Sequence, residues 1–437
     1  MIDKLWIKNF KSYRGQTELS LAPLTVLIGA NASGKSNAIE AIRLLNWISQ
    51  GQRLDDIITR GKVPDSHLRG QAKDFFHQVP ETFELGVLIK DPVGEVALHI
   101  AVSLIKDELV ITSEKASSPE NAGTWYYEIA GQPNERTDEI QVSYNNFQKG
   151  PNKPRIPCSN RQAIFYQLQS PSAFSSEHPR SRSVIPEIAK RLREHLKSIE
   201  FLDPRPNAMR GYAFIGEKEL TVDGSNVSSV LYRICHESPA SKESLLSFIR
   251  SLPEQDIQDI QFVKTARNEV MVALREAFNN AFAEVPAPLL SDGTLRVLAI
   301  AAILLTAKEG SCVVIEEIDN GVHPSRAKML IENIRKVCEQ RSLNVLLTTH
   351  NPALLDAIPD RNLADVLCCY RDRDDGDSRI VRLGDLDHYP ELVAQASLGE
   401  LVTTRVLERF LNDKKSEADR TQQSLKWLDE LEAELSE

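Results

Sequence analysis

The chain has 437 residues, roughly three times the size of an average single domain, so one large domain with insertions or two domains is expected. Its 52 Lys+Arg against 62 Asp+Glu leave a formal charge of −10, with 41% apolar and 26% charged residues. These values exclude a disordered chain, a collagen-like fibre, a disulfide scaffold, and a protein that binds nucleic acid by bulk charge alone.

The opening MIDKLWIKNFKSYRG carries charges throughout and has no leader-like apolar run. No stretch approaches the ~20 apolar residues of a membrane span, so no membrane partner is expected. The six cysteines form no CxxC and no metal-like spacing. They read as reduced thiols of a cytoplasmic protein, with Cys312 and Cys368 in apolar runs that should be buried.

In chain order, residues 3–10 and 16–21 read as two short strands around a turn, and 24–28 as a compact apolar strand. A helical pattern follows, marked by Ile39, Ile42, Leu45 and Trp47. Residues 51–80 are polar and irregular. From 82 to 144, short alternating segments separated by turn residues predict an antiparallel meander. Residues 145–185, rich in Pro, Ser, Asn and Arg, should be largely loop. Helices are expected at 185–199, 226–235 and 243–252. Residues 258–283 are ambiguous, alternating at Val270, Val272 and Leu274 like a strand but helical in Ala, Glu and Arg content. The closing third alternates helix 294–308, strand 312–317, helix 325–339, strand 344–349 and helix 353–358. That rhythm predicts a parallel sheet with helical crossovers. Residues 400–437 read as terminal helices, for which Leu401, Leu407, Phe410, Leu428 and Leu431 are either docking points for a partner or self-packed.

Gly29-Ala30-Asn31-Ala32-Ser33-Gly34-Lys35-Ser36 fits GxxxxGK[ST] between a buried strand and a helix. The glycines let backbone N–H groups turn inward, and the helix start adds partial positive charge, making a polyphosphate socket. Lys35 supplies a point charge at the β/γ-phosphates, and the Ser36 hydroxyl can ligate Mg²⁺. Val313-Val314-Ile315 then ends in Glu316-Glu317. Carboxylates there emerge at the carboxyl edge of a parallel sheet, where ligands of such sheets sit. Glu316 is assigned to the metal and Glu317 to polarising the attacking water. Ser291-Asp292-Gly293 opens a helix and is either a second anion socket or a plain cap. His350 follows a strand; it either hydrogen-bonds a γ-phosphate or caps and packs, and Pro352 with Asn351 suits the next helix start.

GANASGKSN, LLSDGT, VVIEEIDNGVHP and LLTTHNP, in this order, resemble the ABC-type ATPase superfamily. The opening IKNFKSYRG is similar to its soluble branch of RecF, structural-maintenance-of-chromosomes (SMC) heads and OLD-family ATPases, and within it to compact stand-alone ATPases of bacterial defence and repair loci. The resemblance implies an α/β fold: an ABC-ATPase head with a mixed or parallel sheet core, an antiparallel β lobe and a helical insert. It divides the chain into a split core at 1–50 and 285–390, a β lobe at 51–145, a helical and basic insert at 146–284 and a helical tail at 391–437.

It also implies ATP and Mg²⁺ as ligands and a head-to-tail homodimer, or a higher oligomer. ATP held by Gly29, Asn31, Gly34, Lys35, Ser36 and Asn37 of one subunit would be covered by Ser291 and Gly293 of the other. Ser36 and Glu316 match the magnesium residues, Glu317 the catalytic carboxylate and His350 the switch histidine. Asn320-Gly321 matches the loop that crosses the dimer interface. Two departures stand out. Asp292 occupies a position usually held by a small residue, and the acidic pair is Glu-Glu. Gln71, Gln167 and Gln169 are candidates for the glutamine of the lobe-connecting loop.

Residues 149–210 carry twelve Lys/Arg and five acids, +7 within a chain of −10, with Phe165, Tyr166 and Phe174 interleaved. This stretch is a candidate DNA or RNA face, or else a solvated helix with a loop, or a docking face for an acidic partner. The acidic run 372–377 reads as a hairpin turn. The expected task is a nucleotide switch in anti-phage defence that controls a separately encoded nuclease. DNA repair or end processing, and a nucleotide-gated scaffold with incidental hydrolysis, are the alternatives.

Overall fold

The computed structural model describes residues 1–59, 68–77, 82–120, 124–131, 137–250, 256–278, 281–318, 324–386 and 389–412. Two large sheets organise them. One has eight antiparallel strands, in the order Thr17–Ser20, Ile2–Lys8, Phe83–Asp91, Gly94–Ile105, Glu108–Ser118, Thr124–Ile129, Glu139–Tyr144 and Arg155–Ser159. After the first two, these strands pair in chain order, as short turns between alternating segments require. The opening pair Ile2–Lys8 and Thr17–Ser20 joins this sheet, not the parallel one.

The second sheet has six strands, in the order Glu200–Leu202, Cys312–Ile315, Asn344–Thr348, Leu24–Ile28, Leu367–Arg371 and Ser378–Arg382. The first five are parallel and the last is an antiparallel edge. Side chains alternate across it. Leu27, Cys312, Val314, Leu346 and Cys369 share a core with the helix Lys35–Ser49 and the antiparallel sheet. Leu24, Val313, Ile315, Val345 and Leu347 face the helices Asp292–Thr306 and Pro324–Arg341 instead. Val26, Ile28 and Cys368 meet the C-terminal helices, where Leu401 and Leu407 are buried against the chain itself. Leu428 and Leu431 lie outside the described residues.

Three expectations change. Residues 145–185 contain the strand Arg155–Ser159, and the helix after them starts early, spanning Pro179–Lys197. Pro179 accounts for the early start, since proline suits a first helical turn. The ambiguous stretch is β: Ile257–Lys264, Glu269–Phe278 and Ala281–Pro286 pair antiparallel, so the region expected as a helical insert also holds a four-stranded sheet. Cross-strand partners outweighed local helix propensity there. The acidic run forms the expected turn. Arg379 bridges Asp372 at 3.0 Å and Asp375 at 2.7 Å, and His77 meets Asp377 at 3.1 Å. All six cysteines are free; burial pushes Cys312 and Cys368 up to about 12, so both are poor nucleophiles. Among the described residues no helix is long and apolar enough to cross a membrane.

A buried carboxylate ties the antiparallel lobe to the segment that follows it. Glu114 accepts the N–H groups of Ile164 and Phe165 and the Tyr127 hydroxyl, each at 2.8 Å. Burial pushes its carboxyl from 4.5 up to about 7, against the downward pull of those donors. The folded protein therefore holds this proton more tightly than the unfolded chain. The resulting stability is complete below the unfolded value and is lost as pH rises through about 7. The melting temperature of the wild type relative to Glu114→Gln is expected to rise between about pH 8 and about pH 6. A difference that stays constant over that range would remove this account of Glu114.

Candidate functional site

The phosphate loop leaves the strand Leu24–Ile28 and enters the helix Lys35–Ser49. Gly29 and Gly34 take positive φ values of 149° and 121°, and Ala32 lies at 64°. A Cβ on Gly29 would sit 2.1 Å from the Cys369 carbonyl, and one on Gly34 2.4 Å from Ser378 Oγ, so both positions require glycine. Three of the loop's carbonyls are held by side chains from outside the loop. Tyr13 donates to Gly34 O at 3.1 Å, Ser378 to Ser33 O at 2.6 Å and Arg371 to Ala32 O at 2.9 Å.

What remains faces inward. The helix begins at Gly34 with no side-chain cap, leaving first-turn N–H groups for an external acceptor. The buried Ser33 hydroxyl has no hydrogen-bond partner. Lys35 Nζ folds back to Gly29 O at 2.6 Å and Ala30 O at 3.0 Å. Asn31 and Ser36 are exposed at the mouth. The Asn37 amide is engaged elsewhere, donating to Ser12 Oγ at 2.7 Å. An uncapped helix start, an orphaned hydroxyl and a lysine laid over the loop's own carbonyls form a donor set that fits a polyphosphate.

Glu316 and Glu317 follow the strand Cys312–Ile315, and His350 follows Asn344–Thr348. These two strands and Leu24–Ile28 are parallel neighbours, with Ile315 opposite Leu347 and Thr348 opposite Leu27. The phosphate loop, the acidic pair and the histidine therefore leave one carboxyl edge. Glu317 has φ of +48°, a region that costs a non-glycine residue energy. Its N–H donates to Thr348 Oγ1 at 2.9 Å, tying the acidic turn to the neighbouring strand. His350 is exposed, and Asn351 caps the next helix through Ala353 N at 2.9 Å.

Sequence reasoning missed Arg43. It is 6% exposed, bridges Glu316 Oε1 at 2.8 Å and stacks 4.3 Å above the Phe201 ring. The available signal was a cation inside the apolar run AIRLL two turns after Lys35. The pair fixes one Glu316 oxygen from the phosphate-loop helix and leaves the carboxylate 23% exposed.

Ser291 caps the helix Asp292–Thr306, its Oγ accepting from Thr294 N at 3.1 Å. That helix and the phosphate-loop helix pack on opposite faces of the parallel sheet. Asn320-Gly321 lies outside the described residues. Gln167 and Gln169 are used locally. Gln167 donates to Ser159 O and Gln162 O at 2.8 Å, and Gln169 accepts from Arg193 at 3.0 Å. Gln162 donates to Gly51 O, at the end of the phosphate-loop helix and about 22 Å from its start. Gln71 is nearer the loop, two residues from Arg69, whose N–H meets Glu40 on the same helix at 3.3 Å.

The basic stretch is not one free cationic face. Arg161 pairs with Asp138 at 3.2 Å and with Glu108, and Arg191 with Asp91 at 2.6 Å. Arg180 stacks on Phe147, and Arg193 on Tyr166. Phe165 and Phe174 are buried and cannot stack on bases. Lys149, Arg155, Lys190 and Lys197 remain exposed.

A family profile described as "AAA domain, putative AbiEii toxin, Type IV TA system" matches residues 24–92 and 128–356, more than half of the chain. Another, described as "AAA ATPase domain", matches residues 1–46. A Helicobacter pylori (strain ATCC 700392 / 26695) protein named ATP/GTP phosphatase is 21% identical over 365 residues, covering 82% of this chain and 87% of its own. The chain is also similar to solved SMC heads. An SMC head bound to the C-terminal winged-helix domain of ScpA gives a TM-score of 0.45 at 13% identity, covering 87% of this chain and 96% of that one. The Thermotoga maritima SMC head gives 0.40 at 14%, covering 87% and 98%.

Proposed function

The chain belongs to the AAA-domain family, and from that premise we propose an ABC-type ATPase of the RecF, SMC and OLD-like branch, a Mg²⁺-dependent ATP hydrolase whose two copies close around ATP. The convergence of the phosphate loop, Glu316-Glu317 and His350 at one edge of three adjacent parallel strands carries this reading. Gly29, Asn31, Gly34, Lys35, Ser36 and Asn37 bind the triphosphate, with Lys35 leaving the loop carbonyls for the β/γ-phosphates. Ser36 and Glu316 would hold Mg²⁺, with Arg43 orienting Glu316. When bound there, Mg²⁺ would supply positive charge that offsets the charge of the phosphate oxygens. Glu317 accepts the proton of the attacking water, and His350 hydrogen-bonds the γ-phosphate.

Ser291 and Gly293 act in trans. Their helix packs on the sheet face opposite the phosphate-loop helix, which favours service to a partner's nucleotide over their own. ATP then supplies contacts between subunits, so binding closes the dimer and hydrolysis reopens it. The task is a nucleotide switch in anti-phage defence that controls a separate nuclease. The family description, which names a toxin, supports this choice. The exposed Lys149, Arg155, Lys190 and Lys197 favour DNA repair as the second reading. Turnover measured with and without Mg²⁺, DNA, RNA and co-purified proteins tests these readings. A tight complex with a nuclease supports defence, and stimulation by nucleic acid supports repair. Absence of Mg²⁺-dependent turnover under every condition would sink the enzymatic reading.

A further inference from the structure

Resting on that trans reading, we infer that Arg210 is a positioning residue for the Ser291–Gly293 turn. It fixes the turn's shape and cancels the charge of Asp292 on the surface that meets a partner-bound triphosphate. Arg210 caps the short helix Pro206–Met209, far from the turn in sequence. Its Nη1 donates to three carbonyls leading into the turn, Ala287 at 3.2 Å, Pro288 at 2.9 Å and Leu290 at 2.8 Å. Its Nη2 donates to Asp292 Oδ1. Four acceptors from residues 287–292 thus converge on one guanidinium.

The chemistry of that cluster is specific. Three carbonyls and a carboxylate repel one another unless a cation lies between them. The planar guanidinium fork serves all four, whereas an ammonium is a point charge without that fork. The support is firm, because Met209 beside Arg210 is fully buried and the segment is tied back by Asp203 N to Val222 O at 2.7 Å and Arg205 N to Asp223 O at 2.9 Å. Asp292 is 60% exposed at the helix start. Left unpaired, its carboxylate would oppose a triphosphate at the same N–H groups. The arginine turns an acidic departure at this position into a neutral one. It also links the insert that carries Arg210 to the proposed dimer face.

The test uses full-length protein in a Glu317→Gln background, with dimer assembly followed by analytical ultracentrifugation in ATP and Mg²⁺. Arg210→Ala is expected to leave nucleotide affinity of the isolated subunit within about twofold and to weaken the ATP-bridged dimer roughly tenfold or more. Adding Asp292→Asn to Arg210→Ala should recover part of that loss, a rescue that a purely structural role would not give. Arg210→Lys should fall between, and it carries the test if the alanine variant does not fold. An equally tight dimer with Arg210→Ala or Arg210→Lys, or no recovery from Asp292→Asn, overturns the inference alone. If Glu317→Gln itself stays monomeric with ATP, the trans reading fails and the inference falls with it.

Discussion

Replacing Lys35 by alanine is expected to weaken ATP binding by about a hundredfold or more. The change removes a charge-assisted contact worth roughly 2–3 kcal/mol and leaves the loop without its cation. Lys35 is held over Gly29 O and Ala30 O, so it is pre-placed at the mouth of the loop. The loop itself should survive the change. Its shape is set from outside by Tyr13, Arg371 and Ser378 and by the close approach of Gly29 to the Cys369 carbonyl. Calorimetric titration with ATP measures the effect, and the melting temperature of the free protein separates binding from folding. Affinity within a few-fold of wild type would show that the triphosphate does not sit in this loop.

Glu317→Gln is expected to retain ATP binding, to lower turnover by about a hundredfold to a thousandfold, the scale of a lost general base, and to accumulate closed dimer. The substitution keeps size and shape, so the Glu317 N–H to Thr348 Oγ1 bond and the positive φ should persist. Only the proton acceptor disappears. Single-turnover hydrolysis measures the chemical step, and light scattering with ATP and Mg²⁺ measures association. Full turnover would remove the assigned role. Slow turnover without association would keep the base and remove the trans contact. The two variants divide the site, since Lys35 acts on binding and Glu317 on chemistry.

Much of the candidate site was legible in order along the chain. The phosphate loop, the acidic pair and the Ser291 turn each carry a local physical signature, namely glycines where φ must be positive, carboxylates after a β-branched strand, and a hydroxyl before a helix. Their supports were not legible. Arg43 reads as a lone cation in a helix until Glu316 arrives 273 positions later. Arg210 reads as one of twelve cations in a basic stretch until the fold brings the turn to it. The same folding consumes other members of that stretch, since Arg161 and Arg191 meet acids from the antiparallel lobe. Net charge along a sequence counts cations but cannot say which are already neutralised.

The antiparallel lobe was predicted because hairpins are short-range, and periodicity of two over 82–144 is a local property. The 258–283 stretch was not, because its composition favours one structure and its partners another; the pairing of Val272 with Phe262 decides it. By itself, the sequence determined the P-loop class of the chain, the strand–loop–helix order around the phosphate loop and the chemical types available for hydrolysis, since each depends on residues a few positions apart. The tertiary structure alone decided that three of those motifs share one sheet edge while the Ser291 helix packs on the opposite face. It also decided which cations hold carboxylates in place. Both follow from contacts between residues tens to hundreds of positions apart, which local patterns do not encode.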